Sequence, residues 1–369
     1  MIQNPFTETW ILLVLVYIIV TISLNLEAGF TGIPNFGKAV FVFMGAWAAQ
    51  GIGIRLAAYL LEKTDPGLAA EALKHLQEIG IGTYKSLVQA AGDTDANRIV
   101  VTSYIYPYFQ HHLALAALLF TAVLAIALAL SAAMGLFASF AAVRLREEYL
   151  AILLLSFSEL MVMVIFQQTT SLNGGPQGIW AMRFGSNGLR TALILAAVFA
   201  AITFLYAEKL ANSPMGRAMR AVRDDEIAAG VYGRDVARIR LKVIMVSSMI
   251  AALAGLAFIQ ATPSTVSMGF DRVKWTFFPW AYLILGGMAN NVGAVLGTVI
   301  FLILQRLVQL LPVYISGTST TIMTIIPYLS NILVGVIIIL VLYFRPQGIL
   351  PEKPSKTVDF HRILVEEGE

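Results

Sequence analysis

The chain has 369 residues, of which 58% are hydrophobic and 13% are charged, and its net charge is +3. Soluble globular domains carry about 25% charged residues, so this composition excludes an ordinary water-soluble domain and predicts a protein whose main solvent is lipid. The absence of cysteine excludes disulfides and thiolate metal sites, and the basic residues are too dispersed for a nucleic-acid surface.

Apolar runs long enough to cross a bilayer recur along the whole chain. A helix needs about 20 apolar residues to span the hydrocarbon core, which predicts an all-α, polytopic helical bundle with about nine (eight to ten) transmembrane helices. The N-terminal segment lacks the basic region of a signal peptide, so the first run is expected to be a retained helix. The predicted spans cover residues 10–28, 39–61, 113–143, 148–166, 189–207, 242–261, 275–288, 292–311 and 323–344.

The basic segment formed by residues 208–242 decides the predicted orientation. Cytoplasmic loops of membrane proteins are enriched in Lys and Arg, so we place this loop inside. Counting spans from it puts the N-terminus outside, the C-terminus in the cytoplasm and Lys38 in an inner loop. The chain then divides into a membrane domain, residues 1–351, and a polar cytoplasmic tail, residues 352–369.

A polar insert, residues 62–112, follows the second span and falls outside in this topology. Asp65 is a favourable N-cap for a helix that begins at Pro66, and Gly80 is a favourable terminator. This helix either covers the bundle or forms a platform for an external partner. Its predicted apolar face holds Leu68, Ala72, Leu76 and Ile79.

Two Gly-rich stretches interrupt otherwise apolar spans. Small residues let helices approach closely and tolerate bent backbone where it lines a cavity. One interpretation is that both stretches are re-entrant or broken helices beside a permeation path, and the other is close helix packing alone. The candidate path residues of the first stretch are Asn25, Gly29, Gly32, Gly37 and Phe41, and the second stretch holds Gly286, Gly287, Gly293 and Gly297.

A polar stripe marks the fourth span. A charged side chain at the centre of a bilayer costs roughly 2.5–3.5 kcal/mol, so Glu159 is expected to face the protein interior or a polar cavity, on one helical face with Tyr149 and Ser156. We interpret the stripe as path-lining, and a proton relay is the alternative. The outer loop that follows is either a plain turn or a gate, formed by Asn173, Gly174 and Gly175.

The basic loop contains a helix signal of its own. Ser213 can cap a helix that begins at Pro214 and is expected to continue to Ala229. Gly230 and Gly233 then break the chain before the next span. A short helix with charges of both signs suits docking into a groove of a soluble partner, although an ordinary positive-inside loop has the same composition.

No set of catalytic residues accompanies these features. The sequence has no phosphate-binding loop of the Gly-x4-Gly-Lys-Ser/Thr type, no Ser-His-Asp or His-Glu-x-x-His pattern, and no metal-ligand spacing among its 4 histidines. We therefore expect a protein that is not an enzyme and holds neither metal nor cofactor. Any ATP-driven transport would need an ATPase on another chain.

Several motifs, in the same order along the chain, resemble one family. Pro214-Met-Gly-Arg-Ala, followed by Ala-Val-Arg-Asp-Asp-Glu-Ile-Ala-Ala, is similar to the coupling segment of the branched-chain amino-acid ABC importer permeases of the Liv type. Arg144-Leu-Arg-Glu-Glu-Tyr, Leu172-Asn-Gly-Gly-Pro-Gln-Gly and Phe344-Arg-Pro-Gln-Gly-Ile-Leu-Pro resemble further segments of that family. The Arg-Leu-Arg and Arg-Pro-Gln-Gly motifs favour the M-type subunit.

The resemblance implies a permease subunit of a prokaryotic plasma membrane, which forms the translocation path of an importer for branched-chain or related amino acids. It also implies a second homologous permease as a heterodimer partner, two ABC ATPase subunits inside and an extracytoplasmic substrate-binding protein. The residues expected at the ATPase coupling site are Gly216, Arg217, Arg220, Arg223, Asp224, Asp225, Glu226 and Gly233.

The chain departs from the family pattern in two places. The family has a short outer loop where residues 62–112 stand. Ala289 and Ala294 replace a Gly and a Pro of its Gly-Gly-x-Gly…Gly-Pro segment, so the local turn is expected to differ. Three alternatives stay open: an ABC permease for urea or short amides, a proton-coupled secondary transporter acting alone, and a structural partner permease without substrate contact.

Overall fold

The computed structural model describes residues 5–145, 147–167, 178–184, 188–262, 267–314, 332, 335–336 and 339–352. Within these ranges the regular structure is helical, without β-strands, which confirms the predicted all-α polytopic bundle. The same ranges contain 6 helices that are long and apolar enough to cross a membrane: Thr7–Gly29, Lys38–Thr64, Leu113–Arg144, Gly188–Ala211, Val236–Ala261 and Asn291–Val308.

Three predicted spans are not among these 6 helices. Residues 148–166 form most of α9, residues 275–288 contain the short α14, and residues 323–344 fall largely outside the described residues. In chain order the helices are α1 Pro5–Leu24, α2 Lys38–Trp47, α3 Ile54–Thr64, α4 Pro66–Glu78, α5 Leu87–Gly92, α6 Thr94–Ile99, α7 Tyr106–His111, α8 Leu113–Arg144, α9 Glu147–Gln167, α10 Gly188–Ala211, α11 Pro214–Asp224, α12 Glu226–Val231, α13 Val236–Ala261, α14 Phe278–Gly286 and α15 Asn291–Tyr314.

Helix α13 lies at the centre of the bundle and contacts α1, α2, α8 and α10. Small residues make the closest of these approaches possible. A Cβ atom added to Gly255 would lie 1.8 Å from the carbonyl oxygen of Val42, and one added to Gly45 would lie 1.9 Å from that of Ala252. The backbones of α2 and α13 are therefore in direct contact, as small residues allow in membrane helices.

The insert, residues 62–112, is helical throughout most of its length. The predicted surface helix is confirmed as α4, and the carboxylate of its N-cap Asp65 accepts a hydrogen bond from the N–H of Leu68. The rest of the insert adds α5, α6 and α7, and the Asn97 carboxamide accepts a hydrogen bond of 2.6 Å from the N–H of Trp180. The insert thus packs onto the segment 178–184 and against α3 and α8.

Candidate functional site

The first Gly-rich stretch departs from α-helical geometry at the end of α1, and we name this departure the first break, although the chain remains helical to Thr31. A single π-helical turn, Asn25–Gly29, follows α1. The carboxamide of Asn25 is buried and donates a 3.0 Å hydrogen bond to Asn291, while its oxygen accepts a 2.8 Å bond from the N–H of Ala289. A Cβ atom on Gly29 would lie 2.1 Å from that same oxygen. The two Gly-rich stretches are therefore joined through one asparagine.

A buried ion pair lies beside this break. Lys38 was expected in an inner loop, but its side chain is fully buried and its ammonium lies 2.8 Å from a carboxylate oxygen of Glu27. The Ser247 hydroxyl on α13 accepts a 2.7 Å bond from Lys38 and donates to the other carboxylate oxygen of Glu27. The correction follows from the fold, because the chain turns back between α1 and α2 and brings the two charges together.

The other candidate path residues of this stretch lie close to the pair. Phe41 is fully buried, with its ring centroid 5.8 Å from the Lys38 ammonium. A Cβ atom on Gly37 would lie 2.6 Å from the carbonyl oxygen of Leu154 on α9, and Gly32 adopts a φ of +75° against Arg223. These residues line tightly packed backbone at the junction of α1, α2 and α9.

The second Gly-rich stretch is a helical hairpin between α14 and α15. The side chain of Asn290 caps α15 by accepting hydrogen bonds from the N–H groups of Val292 and Gly293. At the turn itself Gly287 has a φ of +113° and Ala289 a φ of +59°. The departure from the family's third glycine therefore falls on a left-handed residue, where an alanine is strained.

Replacing Ala289 by glycine is expected to maintain or raise the stability of the chain. The left-handed conformation costs an L-residue roughly 1–2 kcal/mol, which offsets the larger backbone entropy that glycine loses on folding. The matched control is Ala294→Gly within α15, which should cost about 1 kcal/mol. Thermal unfolding in detergent compares them, and an equal loss of stability in both variants would contradict the strain at Ala289.

The basic loop folds as two helices instead of one. Ser213 caps α11 through a hydrogen bond from the N–H of Gly216, as predicted. The expected continuation to Ala229 is wrong, because Asp225 is extended and its carboxylate accepts bonds from the N–H groups of Ile227 and Ala228. Asp225 therefore begins α12, as its N-cap preference allows. Gly233 ends it with a φ of +77°.

The predicted coupling residues fall into an inner and an outer set. Gly216 is buried, and a Cβ atom there would lie 2.3 Å from the carbonyl oxygen of Ala211. The guanidinium groups of Arg220 and Arg223 both point inward and bind Glu352. The outer set remains exposed on the loop surface and consists of Arg217, Asp224, Asp225 and Glu226, the last paired with Arg240.

Sequence reasoning missed an apolar tip on α12. Ile227, Val231 and Tyr232 are 78%, 81% and 86% exposed, although they stand in the most basic segment of the chain. The signal that could have found them is the i, i+4, i+5 spacing of large apolar residues on a polar helix. We name these three exposed side chains at the end of the loop the apolar tip.

The polar stripe of α9 lies open in the part of the chain that the structure describes. Tyr149 is 65% exposed, Ser156 is exposed and Glu159 is half-buried. The proposed outer gate cannot be described in the same way, because Asn173, Gly174 and Gly175 lie outside the described residues.

Comparison with known proteins adds sequence evidence to this geometry. A family model described as the permease component of the branched-chain amino acid transport system matches residues 6–342. A probable branched-chain amino acid transport permease protein, LivM, of Methanocaldococcus jannaschii is 32% identical over 363 residues, which cover 95% of this chain and 94% of the relative. The high-affinity LivM permease protein of Escherichia coli is 28% identical over 280 residues, which cover 68% of this chain and 61% of the relative. No solved structure matches the chain significantly.

Proposed function

The chain belongs to the family of permease components of branched-chain amino acid transport systems and is a multi-pass membrane protein, and from this premise we propose that it is one permease subunit of an ABC importer for branched-chain or related amino acids. In this proposal a second homologous permease forms the other half of the path. Two ATPase subunits bind at the inner side, and an extracytoplasmic binding protein delivers the substrate. The chain itself is a transport permease and not an enzyme.

The apolar tip carries the proposal for ATPase docking. Three large apolar side chains at the end of a charged loop expose surface that water disfavours, and burying each would contribute roughly 1.5–3 kcal/mol. A short helix with an apolar face is a usual element for insertion into a groove of a partner. Arg217 and Asp224 are exposed on the preceding helix, α11, and we propose that they supply charged contacts to the same partner.

The proposed orientation keeps this loop in the cytoplasm. Lys38 no longer counts toward the positive-inside rule, because it is neutralised in a buried pair. The segment 208–242 still carries eight Lys and Arg residues, and the rule counts these residues without subtracting acids, so it still places the segment inside. We therefore keep the N-terminus outside and the C-terminus inside, in a prokaryotic plasma membrane.

The polar stripe of α9 supports a path at the junction with the second permease. A half-buried Glu159 facing hydrocarbon would be costly, whereas a water-filled path or a polar partner surface would solvate it. Tyr149 and Ser156 extend the same face. We propose that this face, together with the turn at Asn25–Gly29, lines the translocation path.

The experiment that tests the proposal is reconstitution of the complex in liposomes, with Ile227→Asp as the loop variant. The chain is co-expressed with the second permease and the ATPases of the same importer, and ATP-dependent uptake of leucine is measured with the binding protein present. Ile227→Asp is expected to release the ATPases, since a carboxylate would replace one of the buried contacts. Ile79→Asp, at the end of α4 in the insert and 45% exposed, is the matched control.

The outcomes separate the candidate functions. Leucine uptake by the chain alone, driven by a pH gradient and indifferent to ATP, would exclude the importer in favour of a secondary transporter. ATPases that remain bound and active in Ile227→Asp would contradict docking at the apolar tip. Urea uptake in place of leucine uptake would change the substrate class and leave the importer architecture standing.

A further inference from the structure

The C-terminal strap, residues 345–352, connects the coupling loop to both Gly-rich breaks. We propose that Glu352 at the end of the strap is a positioning residue for coupling, which transmits movement of α11 to the α14–α15 hairpin and to the break after α1. The proposal rests on the proposed function for its role and on contacts between described residues for its geometry.

The strap is bonded to the hairpin along its length. The N–H groups of Ile349 and Leu350 donate hydrogen bonds of 2.9 Å and 3.0 Å to the carbonyl oxygens of Leu285 and Gly286. These carbonyls end α14 and have no partner within their own helix. A Cβ atom on Gly348, whose φ is +74°, would lie 2.5 Å from Gly287. The strap and the turn therefore move together.

A further contact joins the strap to the start of α15. The carboxamide of Asn290 donates a 3.0 Å hydrogen bond to the carbonyl oxygen of Pro351, while the same side chain caps α15. Asn291, the first residue of α15, accepts the hydrogen bond from Asn25 in the other break. A displacement of the strap would therefore move residues at both breaks, since hydrogen bonds link them.

The other end of the strap is bonded to α11. The carboxylate of Glu352 lies 2.9 Å from the guanidinium of Arg220 and 2.9 Å from that of Arg223, and all three side chains are mostly buried. Arg223 also donates a 2.8 Å hydrogen bond to the carbonyl oxygen of Gly29. One carboxylate and one guanidinium therefore connect α11, the strap and the end of the broken helix.

The ion pairs of Glu352 with Arg220 and Arg223, which we name the joint, are stabilised by charge at physiological pH. Burial alone would lower the pKa of Arg223, but the hydrogen bonds and negative charges of Glu352 and Asp224 outweigh burial and raise it. Charge-assisted bonds of this kind are roughly twice as strong as neutral ones. The guanidinium of Arg220 also lies 5.0 Å from the ring of Phe30, beside the same break.

The surroundings leave the joint room to move. A cavity of about 570 Å³ borders it, lined among others by Gly29, Trp280, Met288, Gln347 and Glu352. Close-packed interiors resist displacement, whereas an element beside a cavity can shift without collision. The ion pairs of Glu352 with Arg220 and Arg223 therefore border open space on one side, which is compatible with a transmitting role.

The first test uses the permease chain alone and is independent of transport. Arg223→Gln on α11 is expected to speed hydrogen exchange at the amides of Ile349 and Leu350 about tenfold, because coupling between linked sites is typically 5–150-fold. Arg238→Gln, on the same loop in a pair whose side chains are 79% and 51% exposed, should leave them unchanged. Unchanged exchange in Arg223→Gln would overturn the proposal whatever the complex transports.

The second test measures leucine imported per ATP hydrolysed by the reconstituted complex. Glu352→Gln is expected to lower this ratio about tenfold, while the amount of assembled complex stays the same. Glu352→Asp, which retains the carboxylate, should recover most of the ratio. Glu78→Gln, in an exposed pair with Lys74, is the control.

The result that overturns the proposal is also specific. A purely structural Glu352 would lower hydrolysis and uptake together, or reduce assembly, and leave the ratio unchanged. A wild-type complex that hydrolyses ATP without ATP-dependent uptake of either leucine or urea would instead contradict the proposed function, and the exchange result would still decide whether the strap is bonded to α11.

Discussion

Replacing Lys38 by methionine is expected to destabilise the chain by about 3–5 kcal/mol, because it leaves the charge of Glu27 buried without its partner. Both side chains are fully buried and 2.8 Å apart, so neither charge can reach water. The double variant Glu27→Gln/Lys38→Met removes both charges and should recover most of the loss, since an apolar or neutral replacement of a whole buried pair is often neutral. The carboxamide introduced at position 27 would still accept the hydrogen bond from Ser247.

Unfolding temperatures and monodisperse yields in detergent are measured for Lys38→Met, for Glu27→Gln and for the double variant. Lys74→Met is the matched control, since Lys74 belongs to an exposed pair with Glu78 and such pairs contribute little. A double variant as unstable as Lys38→Met would show that one of the two side chains acts independently of the other. The cycle thereby isolates the pairwise interaction.

This pair also shows where sequence reasoning stopped. A lysine just before an apolar run is ordinarily a topology signal, and a glutamate near the end of a span can reach the interface. Recognising the pair requires knowing that residues 32–37 turn the chain back on itself. That turn depends on Gly32 at a φ of +75° and on Arg223 packed against it, and Arg223 is remote in sequence.

Features that depend on neighbouring residues in the sequence were predicted better than contacts between distant residues. The caps at Asp65 and Ser213 are confirmed, because side-chain capping depends on residues within a few positions. The break at Asp225 was missed for a related reason, since an aspartate within a helical pattern can either remain helical or start a new helix. The side on which α11 buries its arginines was not visible at all, because Glu352 is distant along the chain.

The second large effect is expected at Gly255, where even a methyl group should separate α2 from α13. A Cβ atom there would lie 1.8 Å from the carbonyl oxygen of Val42 and 3.0 Å from the N–H nitrogen of Ala46. Both neighbours are backbone atoms of a helix, so no side-chain rotation can relieve the overlap. Overpacking of a tight interior costs roughly 1–3 kcal/mol, and Gly255→Leu should exceed that range.

The nature of the contact gives the prediction a sharp control. Because the obstacle at Gly255 is a backbone carbonyl, truncating the side chain in Val42→Ala should not rescue Gly255→Ala, whereas it would if the side chain of Val42 were responsible. Gly230→Ala in α12 should be neutral or mildly stabilising, as no atom beyond its chain neighbours and its own helix backbone lies within 4 Å of its added Cβ and alanine is the better helix former. Thermal unfolding of Gly255→Ala, Val42→Ala, the double variant Gly255→Ala/Val42→Ala and Gly230→Ala decides the question, and full rescue of Gly255→Ala by Val42→Ala would contradict direct backbone contact. Since Gly45 meets Ala252 of the same helix pair in the same way, the two glycines determine how closely α13 approaches α2, the helix that begins with Lys38.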